Sequence, residues 1–463
     1  MGRDDAKGNN EDTSRTNLPI HEDVENIVAP VVRKEVGVVA VDNLKLKIQR
    51  LKVSGLCKTK NDIVVEQIKP LFLADSLQSI LIGVQDVQDK LQTLDVFRNV
   101  EVVLDTAKGP GAKKGQLEVT FFVKEKSRLH LGVSAHAGTQ SGDASLSASM
   151  RNVFGRAEVF KLTSSTTLPH FGHSQQMEFH KMHYADLNKR LLLTCGHTKL
   201  DHPFSGFQEN VIGSLAQLSF TSWLGHHKLS WNCDWREIFG FASNVPIQVR
   251  SQAGHSLKSS IMHTIETDRR DDPMDPYKGY YARVVQEFAG IGGDTVFGKA
   301  EIHSALYHQI WNNLVGSLTF WAGTMRPITA SRINDRFFLG GTTTLRGFGM
   351  WGVGPHESGY SLGGEIYWAV GLHLYHPLPF IHGQINRYIK LHAFLTTGKL
   401  FGYGIGGWSP TELLTHNRLS VGFGLLFNIG MGRVELNYCI PLKAQSHDRL
   451  LPGLQLGVGI EFL

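Results

Sequence analysis

Leu454-Gln455-Leu456-Gly457-Val458-Gly459-Ile460-Glu461-Phe462 alternates apolar residues with polar or minimal ones over nine positions. A period of two is the mark of a β-strand whose faces meet different surroundings. Three more such lines precede it. Val434, Leu436, Tyr438 and Ile440 stand against Arg433, Glu435, Asn437 and Cys439. Leu419, Val421, Phe423, Leu425 and Phe427 form one apolar face, and Ile389, Leu391, Ala393 and Leu395 stand against Lys390, His392, Phe394 and Thr396. Alternation alone fits a soluble sandwich with its apolar face inward or a membrane barrel with that face toward lipid. Two features favour the barrel. Trp223, Trp321, Tyr367 and Trp368 fall near strand ends, as interfacial girdles require, and a closed barrel would hide the edge of the apolar final strand.

Composition agrees. The chain of 463 residues has a mean hydropathy of -0.14 and no run of about 18 or more apolar residues, which excludes helical membrane spans. A barrel strand needs only about 9 to 11 residues of alternating character. Forty-nine glycines against 16 prolines suit many strands joined by tight turns. Cys57, Cys195, Cys233 and Cys439 are widely spaced and suggest neither zinc nor a disulfide framework. The net charge of +5 is dispersed, without the basic block that nucleic acid would call for. Residues 1–17 show no apolar secretory core, and Ala6 stands where a myristoylation motif after Gly2 wants Ser or Thr. A barrel without a secretory signal is expected to be made in a eukaryotic cytosol and to reside in the mitochondrial outer membrane.

Working toward the N-terminus, residues 127–463 repeat the strand-and-turn texture and define the barrel. Residues 41–126 differ. Leu46, Ile48, Leu51 and Val53 suggest a strand with a slip in its alternation. Asn61-Asp62 offers caps for a helix with Ile63, Val64 and Ile68, ending near Pro70. From about Ser76 a second helix carries Leu77, Ile80, Leu81, Val84, Val87 and Leu91 on one face. Val100–Leu104 and Leu117–Val123 read as strands joined by a turn at Lys108-Gly109-Pro110-Gly111. This βααββ order predicts a small α+β domain, preceded by a tail over residues 1–40.

Several segments carry a family resemblance. Phe337-Phe338-Leu339-Gly340-Gly341, Thr342-Thr343-Thr344 and Leu345-Arg346-Gly347-Phe348 resemble the signature of the outer-membrane-protein-85 superfamily of barrel assembly and protein transport. Asn152-Val153-Phe154-Gly155-Arg156-Ala157-Glu158 resembles its early barrel turn, with Ala157 where relatives often have Gly. The βααββ unit is similar to one polypeptide-transport-associated (POTRA) domain. Gly254-His255-Ser256-Leu257-Lys258-Ser259-Ser260 and Leu436-Asn437-Tyr438-Cys439 resemble the mitochondrial branch, the central barrel subunits of the sorting and assembly machinery. The resemblance implies an all-β barrel of about sixteen antiparallel strands, at about 21 residues per strand and turn over 127–463.

It also implies a site. In the superfamily the stretch matching Leu345, Arg346, Gly347 and Phe348 lies in a loop folded into the lumen, its arginine touching an acidic residue of an F-x-D-x-G strand motif. Here the matching strand is Phe394-Leu395-Thr396-Thr397-Gly398, with Thr396 at the acidic position. Thr396 can accept a hydrogen bond without the strength that charge adds, so Glu365, on a polar strand face, is the candidate second acceptor for Arg346. Gln455, Gly457, Ile460 and Phe462 fit the polar-x-Gly-x-x-apolar-x-apolar pattern of mitochondrial barrels. Gly457 and Gly459 would weaken the last strand's hold on the first, near Leu129–Ala137, so that a lateral seam could open.

No catalytic motif stands out. Gly347-Phe348-Gly349-Met350-Trp351-Gly352 matches GxGxxG but does not open a helix in a βαβ unit, and the 22 histidines, His226-His227 among them, show no metal-ligand spacing. The expected function is therefore assembly and insertion of β-barrel precursor proteins, with no enzyme activity, no cofactor and no metal. The alternative is a protein-conducting or metabolite pore of the same superfamily. The resemblance implies metaxin-like peripheral subunits and the cristae-organising complex as partners, contact with membrane lipid, and a POTRA-like domain in the intermembrane space.

Overall fold

The computed structural model describes residues 46–107, 113, 115–137, 142–168, 172–183, 186–378, 388–402, 415–428, 432–459 and 462–463. The tail, the Lys108–Gly111 turn and Ile460 lie outside them.

Strand β1 (Lys47–Ser54) pairs in parallel with β3 (Gln116–Glu125), which pairs antiparallel with β2 (Phe97–Thr106). The register of β1 shifts between Ile48 and Arg50, where its apolar alternation slips. Helix α1 (Asn61–Ile68) starts one residue earlier than its sequence suggests: Lys60 is the cap, and Asp62 instead accepts from the Ile63 amide at 3.0 Å. Pro70 falls in the 3₁₀ turn Lys69–Leu73 that follows. Helix α2 (Leu77–Thr93) is capped reciprocally by Ser76 and Ser79. Its buried stripe is Ile80, Val84, Val87 and Leu91; Leu81 faces outward. The stripe packs with Ile63, Val119 and Phe121 into one core.

The rest is one sheet of sixteen strands. In chain order these are β4 (Leu129–Ala137), β5 (Gly142–Arg151), β6 (Val159–Leu168), β7 (Gly172–His183), β8 (Asp186–His202), β9 (Phe207–Ser222), β10 (Gly225–Phe239), β11 (Gly254–Asp268), β12 (Gly279–Ala289), β13 (Phe297–Trp311) and β14 (Leu314–Pro327). A short hairpin, β15 (His356–Glu357) with β16 (Tyr360–Ser361), stands apart from the sheet. The series resumes with β17 (Ile366–Pro377), β18 (Ile389–Phe401), β19 (Arg418–Asn428), β20 (Arg433–Lys443) and β21 (Gly453–Gly459). Each strand pairs antiparallel with its neighbours, and β14 pairs directly with β17, so residues 328–365 leave the sheet.

Burial decides between sandwich and barrel. In β18, Lys390, His392, Phe394 and Thr396 are buried while Leu391, Ala393 and Leu395 are exposed. In β20 Glu435 and Asn437 are buried and Leu436, Tyr438 and Ile440 exposed. A sheet folding in water would bury the other face, because each large aliphatic side chain gains about 1.5–3 kcal/mol on leaving water. Exposed apolar faces around a polar interior are the arrangement of a barrel dissolved in lipid. The expected girdle divides: Trp223, in the β9–β10 turn, is 84% exposed, whereas Trp321 stacks on the inward His303 at 4.4 Å and the Tyr367 hydroxyl meets the same ring at 3.1 Å. Polar partners inside draw these two aromatics inward.

Candidate functional site

Residues 328–365 fold into the interior of the sheet. Phe337 bridges to Gly364 and Leu339 to Val353, and Phe348 bridges to Leu450 beyond β20. Leu339, Leu345, Phe348 and Val353 pack on Phe297, Met325, Tyr367 and Leu400 of the wall as one apolar cluster. The literal GxGxxG sequence lies within this loop.

Arg346 is 1% exposed. Its Nη2 and Nε donate to Glu435 Oε2 at 2.8 and 3.2 Å, and its Nη1 donates to the Leu463 carbonyl at 2.5 Å. The guanidinium also faces the Phe394 and Phe462 rings, at 5.1 and 5.5 Å. The acceptors expected from sequence need correcting. The Thr396 hydroxyl is buried with no hydrogen-bond partner among the described residues, and Glu365 is drawn to Arg336 at 3.3 Å. The acid that the F-x-D-x-G strand lacks is supplied by β20, two strands on, where Glu435 points inward. A guanidinium in this low-dielectric interior requires a carboxylate, and the nearest inward one takes the role.

Around this pair the polar face of β20 makes further contacts. Asn437 Nδ2 donates to Glu435 Oε2 at 2.9 Å, and Arg433 stands 3.2 Å from Glu435 Oε1. His392 meets Asn437 at 2.9 Å and His373 at 3.0 Å. The last strand contributes Gln455, whose Oε1 accepts from the Gly347 amide at 3.2 Å. Gly347 has φ +85°, and an added Cβ would come 2.5 Å from Ser420 Oγ, so only glycine passes here.

The terminal strand departs from its expected course. Its described part runs to Gly459, and Phe462, expected on the lipid face, turns inward to Arg346 and Arg433. Leu463 is fully buried, its amide donating to Thr343 O at 2.9 Å. Two guanidiniums and an apolar loop offer this end better contacts than another sheet position would. Gly457 faces inward too: a Cβ there would stand 3.1 Å from Phe462 and 3.4 Å from Thr342. Gly459 pairs with Arg433. Strands β4 and β21 close the two ends of the strand order and do not pair with each other among the described residues.

A second junction joins the α+β unit to the sheet. The Asn152–Glu158 turn between β5 and β6 docks on it: Asn152 Nδ2 donates to Thr59 Oγ1 at 2.8 Å, Arg156 pairs with Asp62 at 2.9 Å, and the Lys60 amide donates to Gly155 O at 2.9 Å. Residues 57–59 are held in turn by Glu125, whose Oε1 accepts from the amides of Cys57, Lys58 and Thr59 and from the Thr59 hydroxyl. Burial alone would raise the Glu125 pKa, but these hydrogen bonds outweigh it and hold the carboxyl below its ordinary value. A carboxyl with a lowered folded pKa contributes stability above its unfolded pKa and loses it as pH falls through the folded value. Glu125→Gln is therefore expected to loosen the junction by about 1–2 kcal/mol at neutral pH and by progressively less on acidification. Limited proteolysis of the full chain at pH 7 and pH 4 checks this; equal loosening at both would contradict it.

Comparison with known proteins agrees with this architecture. Residues 115–462 match the Omp85 superfamily domain. The chain is 36% identical over 455 residues to the sorting and assembly machinery component 50 homolog of Xenopus tropicalis, covering 96% of each chain. It is 35% identical over 447 residues to the homolog of Homo sapiens, covering 94% of each. The crystal structure of BamA from Haemophilus ducreyi lacking POTRA domains 1-3 superposes with a TM-score of 0.75 at 14% identity, over 89% of this chain and 84% of that one, a likeness of fold. With most of its length matched to the family domain and nearly all of it to those relatives, the chain belongs to the Omp85 superfamily, among the sorting and assembly machinery component 50 homologs.

Proposed function

We propose that this protein assembles β-barrel precursors and inserts them into the mitochondrial outer membrane. The observation that carries the reading is the pair of sheet ends: among the described residues β4 and β21 do not pair with each other, while every neighbouring pair in the strand order is hydrogen-bonded. A precursor strand adding to such an edge would satisfy its backbone groups by β-augmentation. Burying apolar strand faces in lipid then drives the product forward without a nucleotide. The seam runs beside Gln455, Gly457 and Gly459, and the loop carrying Arg346 holds the inner side of β21. The α+β unit serves as a POTRA domain in the intermembrane space, receiving precursors beside the first strand. Metaxin-like peripheral subunits and the cristae-organising complex belong to the same proposal as partners.

A constitutive pore is the lesser reading, because the loop folds into the lumen and packs against its wall. The test is depletion in cells, followed by import of a radiolabelled porin precursor and a matrix-targeted control into isolated mitochondria. Porin that crosses the membrane but stalls before its mature oligomer, with normal control import, is the expected result. Joint failure would favour a general translocation pore, and no effect on either would refute both.

A further inference from the structure

The loop that carries Arg346 is tied down a second time, across the lumen. Asp335 lies in the 3₁₀ turn Ile333–Asp335, and its carboxylate takes two hydrogen bonds from Arg236 of β10, Nη1 to Oδ1 at 2.8 Å and Nη2 to Oδ2 at 3.1 Å. The two side chains are 2% and 6% exposed. Lys258 of β11 stands 3.4 Å from the same carboxylate, and Lys299 of β13 donates to the Asp335 carbonyl at 3.2 Å. The neighbouring Asn334 donates to Glu209 of β9 at 2.7 Å.

These contacts come from β9, β10, β11 and β13, whereas those of Arg346 come from β18, β20 and the residues Phe462 and Leu463 beyond β21. In the strand order of the sheet, β10 and β20 are separated by half the circumference. One loop touching the inner faces of both is a strut across the barrel. A bidentate guanidinium–carboxylate pair fixes direction as well as distance. Removing the carboxylate would leave Arg236 buried without its counterion, beside a lysine.

We propose that Asp335 and Arg236 form a second clamp on the lumen loop, a positioning pair without which Arg346 loses its hold on β20 and the terminal strand. The clamp stands on these contacts alone. Its importance for precursor assembly rests on the function proposed above.

Cys439 provides a reporter. It is buried on the inner face of β20, its Sγ 3.3 Å from the same Gln455 Oε1 that accepts from Gly347, so the seated loop covers it. In full-length protein in lipid nanodiscs, with Cys57, Cys195 and Cys233 replaced by serine, a small maleimide is expected to label Cys439 slowly. Asp335→Asn, which keeps the shape and removes the charge, is expected to speed labelling at least ten-fold. Asp335→Glu, which restores the charge, is expected to stay within about three-fold of the parent. If Asp335→Asn does not fold, Arg236→Gln takes its place in the same comparison. A labelling rate unchanged by loss of the charge overturns the clamp, and so does equal acceleration by Asp335→Glu. The same variants are assayed for porin assembly in mitochondria. Fast labelling with normal assembly upholds the clamp and refutes the loop's part in assembly, whereas unchanged labelling refutes the clamp and leaves the assembly function standing.

Discussion

Arg346→Ala is expected to cut assembly of a porin precursor at least ten-fold in mitochondria that carry it as their only copy, while the sixteen-stranded sheet still forms. The reason is the division of labour around the residue. Arg346 joins three parts of the molecule: the loop that bears it, Glu435 of β20, and the Leu463 carbonyl beyond the terminal strand. Alanine cuts both links, three hydrogen bonds in all. Glu435 keeps Arg433 at 3.2 Å, so the wall is not left with a lone buried charge. The sheet's own hydrogen bonds are untouched, and the loss falls on the loop's seating. Hydrogen bonds to a charged group are worth about 1.5–3 kcal/mol each, so their loss lowers the equilibrium constant for seating the loop by roughly ten-fold or more. Membrane-integrated Arg346→Ala protein with parental porin assembly would remove the loop from the mechanism. Arg346→Lys is expected to recover little, because a point charge cannot reproduce two donors to one carboxylate and a third to Leu463.

Glu435→Ala is expected to be worse, and to act on folding rather than on the loop alone. It strands two guanidiniums, Arg346 and Arg433, in one pocket with no carboxylate between them, and removes the acceptor that orients Asn437. His392, packed 3.8 Å from the same oxygen, adds no compensating negative charge. Two uncompensated buried cations cost more than one, so this variant is expected to unfold at lower temperature than Arg346→Ala and to integrate into membranes in reduced yield. The double variant Arg346→Ala/Glu435→Ala is expected to be more stable than Glu435→Ala alone, since only one guanidinium remains unpaired. Thermal unfolding of the three proteins in detergent, followed by gel mobility, gives the ordering; a double variant no more stable than Glu435→Ala would contradict the pairing.

The N-terminal unit was legible almost element by element, because helix and strand periods differ and its core is ordinary water-driven burial. Its errors were local. The side chains of Asn61 and Asp62 suit a cap, but the Lys60 backbone takes that position. Leu81 is apolar and fits the stripe by residue type, although the geometry of α2 leaves it outside. In the barrel, the last four strands are legible for the same reason, and the first near Leu129–Ala137. The inward assignment of Arg346 came from the resemblance carried by Leu345-Arg346-Gly347-Phe348 and not from periodicity. The polar face that holds its partner was also visible, since Arg433, Glu435 and Asn437 alternate with apolar neighbours. Asp335 and Arg236 left no comparable sign: one sits in a loop and the other on a strand distant in sequence, and only the rolled sheet brings them together.

Sequence by itself determined that the chain makes two-faced strands and that a small α+β unit precedes them. It did so because side-chain alternation and turn chemistry are local properties, set within a few residues. The tertiary structure alone decided which face meets lipid, which carboxylate holds Arg346, and that Phe462 turns inward to the loop. Those outcomes depend on contacts between residues far apart in the chain, as Arg346 is from Glu435. They are settled by where the pleat, the register and the curl of sixteen strands place each inward side chain, and by the demand that every charge buried there find its counterion.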